Sequence, residues 1–203
     1  MEGIFFYWFA WMGWIASTFL MSKQSMRSFY ASALLVCIMF STTSLHIGSY
    51  TFSGTFFCFL LFSSVYIALY KQLFSGYLLL ASFITMMAYA GFCLFELFDP
   101  VWIFIDRRWA MGFLMLYLIC MLVKSVQERI VCLIIGICYG DFLFSYILHD
   151  SHMYYTIGSL AFLDIVAISC MLILVWALFV QLALYFDSYL LKYAKNKASK
   201  MRV

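Results

Sequence analysis

Between Arg27 and Lys71 lie 43 residues without one Asp, Glu, Lys or Arg, and that run fixes the environment in which the chain can fold. A helix crossing the hydrocarbon core of a bilayer, about 30 Å thick, needs about 20 mostly apolar residues. The run is therefore too long for one crossing and right for two joined by a polar turn. The turn falls at His46-Ile47-Gly48-Ser49. The same character holds from end to end: 67% of the 203 residues are hydrophobic and 10% are charged, far outside the range of soluble domains.

The remaining charges and breakers cut the rest of the chain into spans. Asp99-Pro100 ends one helix and starts another, because the residue before proline avoids the α region while Asp can cap a helix whose first position is proline. The chain is thus predicted to be all-α, a polytopic transmembrane helix bundle with seven spans at about 3–22, 28–45, 50–70, 75–98, 101–123, 130–148 and 157–186. A basic tail, 187–203, follows. The last span exceeds what a bilayer requires and is expected to tilt or to project.

Charge placement predicts the orientation. Lys and Arg concentrate in cytoplasmic loops. With seven spans and the amino terminus outside, ten of the twelve cations fall inside: Lys23, Arg27, Lys71, Lys124, Arg129, Lys192, Lys195, Lys197, Lys200 and Arg202. Only Arg107 and Arg108 fall on the outer half. The first apolar run carries its cations after it, opposite to a secretory signal peptide, and reads as an uncleaved first helix. Tyr7, Trp8, Trp11 and Trp14, with Trp102 and Trp109, stand where aromatic rings favour the membrane interface. The short basic tail reads as a cytoplasmic anchor able to meet lipid headgroups, not as a nucleic-acid footprint.

Ionisable side chains inside a membrane are costly, and each needs a partner or a function. Glu96, Asp106, Arg107, Arg108, Asp141 and Asp164 all fall in the outer half; at ~1.5 Å per residue Asp141 lies about 18 Å above Arg129. Pairing of Arg107 or Arg108 with Asp141, Asp164 or Glu96 would tie helices four to seven together. The alternative is a water-filled pocket open to the outside that binds a small solute or relays protons. Gly136 and Gly140 form a GxxxG face that lets two helix backbones approach closely, either within the bundle or against a partner. Ser41-Thr42-Thr43-Ser44 could supply interhelical hydrogen bonds.

His149-Asp150-Ser151-His152 places two histidines, His149 and His152, near a carboxylate. Zinc sites take three or four ligands held by secondary structure, so this segment reads as an outer loop and the metal expectation is none. Seven cysteines, at 37, 58, 93, 120, 132, 138 and 170, lie in apolar runs and read as small buried hydrophobes. No GxSxG, HExxH or Walker loop is present, and no span pattern of matched Gly/Pro breaks marks a transporter.

The short all-helical layout, the opening Met1-Glu2-Gly3-Ile4-Phe5-Phe6-Tyr7-Trp8-Phe9 and the basic end at Val203 resemble the YphA-like group of small Bacillus-type membrane proteins. That resemblance implies a bacterial plasma-membrane address and carries over no catalytic residue. The functional expectation is a non-enzymatic scaffold or regulator without a cofactor, whose partners are the lipid bilayer and other membrane proteins or second copies of itself. A small-solute or ion transporter, channel or receptor is the alternative, and an intramembrane enzyme the third.

Overall fold

The computed structural model describes residues 2–20, 25–69, 76–99, 106–150 and 155–200. Their helices are α1 (Ile4–Ile15), α2 (Ser25–Phe40), α3 (Gly54–Leu69), α4 (Gly76–Phe98), α5 (Arg107–Leu122), α6 (Val126–Asp150) and α7 (Leu160–Lys200). A π-helical turn, Ala16–Leu20, continues α1. Among the described residues three segments are long and apolar enough to cross a membrane: Gly76–Phe98, Val126–His149 and Leu160–Tyr189. Those of the first three helices, Ile4–Phe19, Arg27–Phe40 and Gly54–Ala68, are apolar but shorter.

Not everything is helical. Strands β1 (Ser44–Ile47) and β2 (Tyr50–Ser53) form an antiparallel hairpin, and β3 (Thr156–Ile157) adds to β2 in parallel with Thr51 opposite Thr156 and Phe52 opposite Ile157. The expected turn between the second and third helices is thus the tip of a hairpin, with Gly48-Ser49 as its two-residue loop. Tyr, Thr and Phe in Tyr50–Phe52 are strand-favouring types, and the three-stranded patch uses backbone groups that two short helices leave over.

The sheet marks one end of the bundle. The amino ends of α1, α3, α5 and α7 and the carboxyl ends of α2, α4 and α6 gather there, as the contacts Gly3–Asp164, Arg108–Asp164 and Arg107–Glu96 require. Successive helices therefore alternate in direction. At the opposite end the Tyr77 hydroxyl donates to the Leu122 carbonyl and Arg129 Nε donates to the Val123 carbonyl.

Two packing groups share α6 and α7. In the first, α4 and α5 lie against α6 and α7, with the most extensive contact between α4 and α6. The glycines explain that closeness: a Cβ on Gly136 would stand 2.6 Å from Thr85 Cβ, and one on Gly140 2.9 Å from Tyr89 Cβ. Gly112 of α5 plays the same part toward Ile168 of α7. The GxxxG face is turned inward. Of the largest fully buried side chains, Tyr89, Met111, Met115, Ile119, Leu133, Ile137 and Phe162 lie on α4 to α7, and none lies on α1, α2 or α3.

In the second group α1, α2 and α3 complete a ring with α6 and α7, through the neighbours α1–α2, α2–α3, α3–α6, α6–α7 and α7–α1. This ring is looser. It surrounds an apolar cavity of about 580 Å³. α7 outruns both groups: its helical backbone continues to Lys200, and from Leu174 to Tyr189 nearly every side chain is exposed.

Candidate functional site

The polar chemistry of the bundle gathers at the sheet end in three knots. In the first, Asp164, fully buried on α7, takes the Gly3 and Phe6 backbone N–H groups at 2.8 and 2.9 Å. The first N–H groups of a helix have no intrahelical partner and carry partial positive charge. A carboxylate from a distant helix thus caps α1. Gly3 makes the approach possible, with φ +88 and its N–H aimed at Asp164; a side chain there would be strained. Arg108 Nη1 completes the knot at 3.0 Å from Asp164 Oδ2.

Arg108 is shared. Its Nε lies 3.2 Å from Asp106 Oδ1, and its guanidinium stands 5.2 Å from the Phe5 ring centre. Asp106 also accepts from the Arg108 backbone N–H, so it is the N-cap of α5. The sequence pattern puts Asp106-Arg107-Arg108 in the second turn of a helix starting near Val101. The described helix starts at Arg107 instead, because Asp106 offers its own first turn an acceptor. Those hydrogen bonds from Arg108 hold the Asp106 carboxyl below the usual carboxylate range.

The second knot joins α4 to α5: Arg107 Nε meets Glu96 Oε2 at 2.9 Å, both side chains half-buried. The Cys93 sulfur is 3.8 Å from Arg107 Nη2. The third is built around Asp141 of α6, which is fully buried and held by hydroxyls and a backbone donor where an arginine is expected. Its Oδ1 accepts from the Tyr89 hydroxyl at 3.1 Å and the Tyr155 hydroxyl at 2.7 Å, while Oδ2 accepts the Gly158 N–H at 2.8 Å.

Asp141 therefore pins the link before α7 onto α6 and α4. Gly158 has φ +75, and a Cβ there would stand 2.9 Å from Phe56 Cβ; only glycine lets the loop descend this far. Burial, with the Asp141 carboxylate beside it, pushes the Tyr155 hydroxyl well above its usual range. Chemically, this is a buried carboxylate with three hydrogen-bond donors in place.

Of the six ionisable candidates, the structure brings Asp106, Arg108 and Asp164 together, pairs Glu96 with Arg107, and leaves Asp141 among hydroxyls and a backbone donor. The partners Gly3, Tyr89, Tyr155 and Gly158 escape sequence reasoning, because glycine and tyrosine look ordinary in a membrane chain. Ser41 lies at the turn after α2, its hydroxyl 2.7 Å from that of Tyr7. His149 belongs to the last turn of α6, not to a loop, with its ring 4.8 Å from that of Tyr50. His152 lies outside the described residues, as do Lys23, Lys71, Pro100, Trp102 and Arg202. Among the described residues no group of three or more His, Cys, Asp or Glu could hold a metal ion.

An apolar bundle, seven-helical among the described residues, with long lipophilic helices and internally paired charges, defines an integral membrane protein. Residues 2–199 match the YphA-like integral membrane protein family, and the chain belongs to it. A relative from Bacillus subtilis (strain 168), "Uncharacterized protein YphA", is 26% identical over 148 residues, 73% of each chain. No solved structure matches.

Proposed function

We propose that this is a non-enzymatic plasma-membrane protein of a bacterium that works as a scaffold or regulator, binding other membrane proteins or further copies of itself within the bilayer. The observation that carries this reading is that the acids and bases inside the bundle are spent on the bundle. Asp164 and Asp141 each have three donors and no exposed surface. A solute or proton path would need such groups to face water or substrate. What the molecule presents outward is apolar surface, such as Leu79, Phe83 and Met87 on α4.

The topology belongs to the same proposal. All seven helices cross the membrane, with the amino terminus outside and the carboxyl terminus in the cytoplasm. Alternating helix directions support the count, and the placement of Arg27, Lys124 and Arg129 at the end opposite the sheet supports the orientation. The short first helices fit a bundle that is thinnest along α1, α2 and α3.

Affinity capture of the full-length protein from its own membranes in mild detergent, with its assembly mass measured, tests the reading. A stoichiometric membrane-protein partner or a defined self-assembly is expected. A monodisperse monomer with no partner, together with solute flux into vesicles that Asp141→Asn abolishes, would replace it with transport.

A further inference from the structure

We propose that the ring formed by α1, α2, α3, α6 and α7 is a lipid-binding site that holds one acyl chain of an anionic phospholipid from the cytoplasmic leaflet. The cavity within it, about 580 Å³, is far larger than the water-sized voids that packed interiors tolerate. It lies within the ~300–1,000 Å³ range of sites that hold small ligands. Its wall is almost wholly apolar, with few groups able to hold ordered water. An empty apolar volume forfeits the dispersion contacts of its whole lining. In a bilayer the material at hand to fill it is hydrocarbon.

The cavity has a closed end and a mouth. Toward the sheet end its lining residues Ala10, Cys37 and Val166 are buried, whereas Ala16, Gln127 and Leu174 at the opposite end are exposed. From Val166 to Leu174 the depth is about 12 Å at ~1.5 Å per residue, so a chain can enter from the opposite end and stop. The headgroup would then remain at the mouth, near Arg27, which lies one helical turn before the lining residue Tyr30. Arg27 shares a helical face with Tyr30 and Leu34, which line the cavity. Among the described residues no carboxylate pairs with it, while Arg129 of α6 donates to the Val123 carbonyl at 2.6 Å. A guanidinium at the inner boundary matches an anionic headgroup.

Only the orientation rests on the proposed function, since it places the mouth in the cytoplasmic leaflet; occupancy of the cavity can be read whichever way the chain faces. The test uses the full-length protein in mild detergent with phosphatidylglycerol bearing a photoreactive diazirine in its acyl chain, and phosphatidylcholine with the same chain. Cross-links are expected on residues 10–16 and 59–66, with phosphatidylglycerol favoured. Ala33→Trp or Ala167→Trp, each filling the cavity, should reduce that labelling at least tenfold. Arg27→Gln should narrow the preference for the anionic lipid roughly fivefold and leave the labelled positions unchanged. Labelling spread over outward residues such as Leu79 and Phe83, with no enrichment inside the ring, would overturn the site. So would cross-links from the lining to a second polypeptide. Equal labelling by both lipids would overturn the anionic assignment. If the tryptophan variants fail to fold, the map on the unaltered protein decides.

Discussion

Asp164 shows how much of this bundle rests on single carboxylates. It neutralises Arg108 and takes two N–H groups of α1, so one side chain joins three helices. Asp164→Asn would keep the shape and remove the charge, weakening the tie to Arg108 and turning one acceptor into a donor facing an N–H. Breaking a buried charged tie of this kind costs about 3–5 kcal/mol. The variant should therefore unfold at clearly lower temperature in detergent. Asp141→Asn should act more mildly, by about 1–3 kcal/mol, because Oδ1 can still accept from both tyrosines while the amide opposes the Gly158 N–H. Thermal unfolding of both variants beside the unaltered protein checks the order, which would reverse if Asp141 were the dominant tie.

Among the elements, α4 and α6 make the closest pair, and glycines set the distance. Gly140→Val would introduce branched carbons where even a single Cβ would stand 2.9 Å from Tyr89 Cβ. Overpacking of this sort costs about 1–3 kcal/mol, and the shift would also move Tyr89 away from Asp141. Gly91, where a Cβ would meet nothing within 4 Å, provides the contrast: Gly91→Ala should leave unfolding unchanged or slightly raised. Parallel unfolding measurements on the two variants separate seam packing from helix propensity. The seam is legible in the sequence, since Gly136 and Gly140 recur at helical spacing; which helix they face is not. Neither is the hairpin, because a segment such as Tyr50-Thr51-Phe52 is as apolar as a span and length alone cannot tell strand from helix end. The start of α5 is hidden for a related reason: Asp106 reads as one more residue inside a helical turn, and only the hydrogen bond it accepts from the Arg108 N–H marks it as the cap.

At the scale of the whole molecule the bundle divides into a tight block and a looser ring. End-to-end hydrophobicity and charge spacing expose the membrane class and the existence of helices directly. They do not expose the division, which depends on which helices share α6 and α7. The residues that carry it are small ones, Ala10 and Gly13 on α1 and Ala16 at the start of the π-helical turn, spaced three apart toward the cavity. Such a stripe reads equally well as close packing, so a void can be recognised only once the facing helices are placed. The same holds for the charged groups: the sequence shows which helices carry them, but not which of them pair, since that depends on where Asp164 and Glu96 meet α5.

On a dry interior rests the reading of the charged groups as structural ties, and the chain carries its own probes for it. Cys93 lies beside Arg107 and is 2% exposed; Cys138, one turn from Asp141, is fully buried. A membrane-impermeant thiol reagent applied to intact cells, followed by denaturation, complete labelling with a second reagent and peptide mapping, reads whether water reaches them. Neither cysteine is expected to react before denaturation, and both are expected to react after it. Rapid reaction of Cys93 or Cys138 in the folded protein would contradict a dry interior, and would make the charged groups the wall of a solvated pocket.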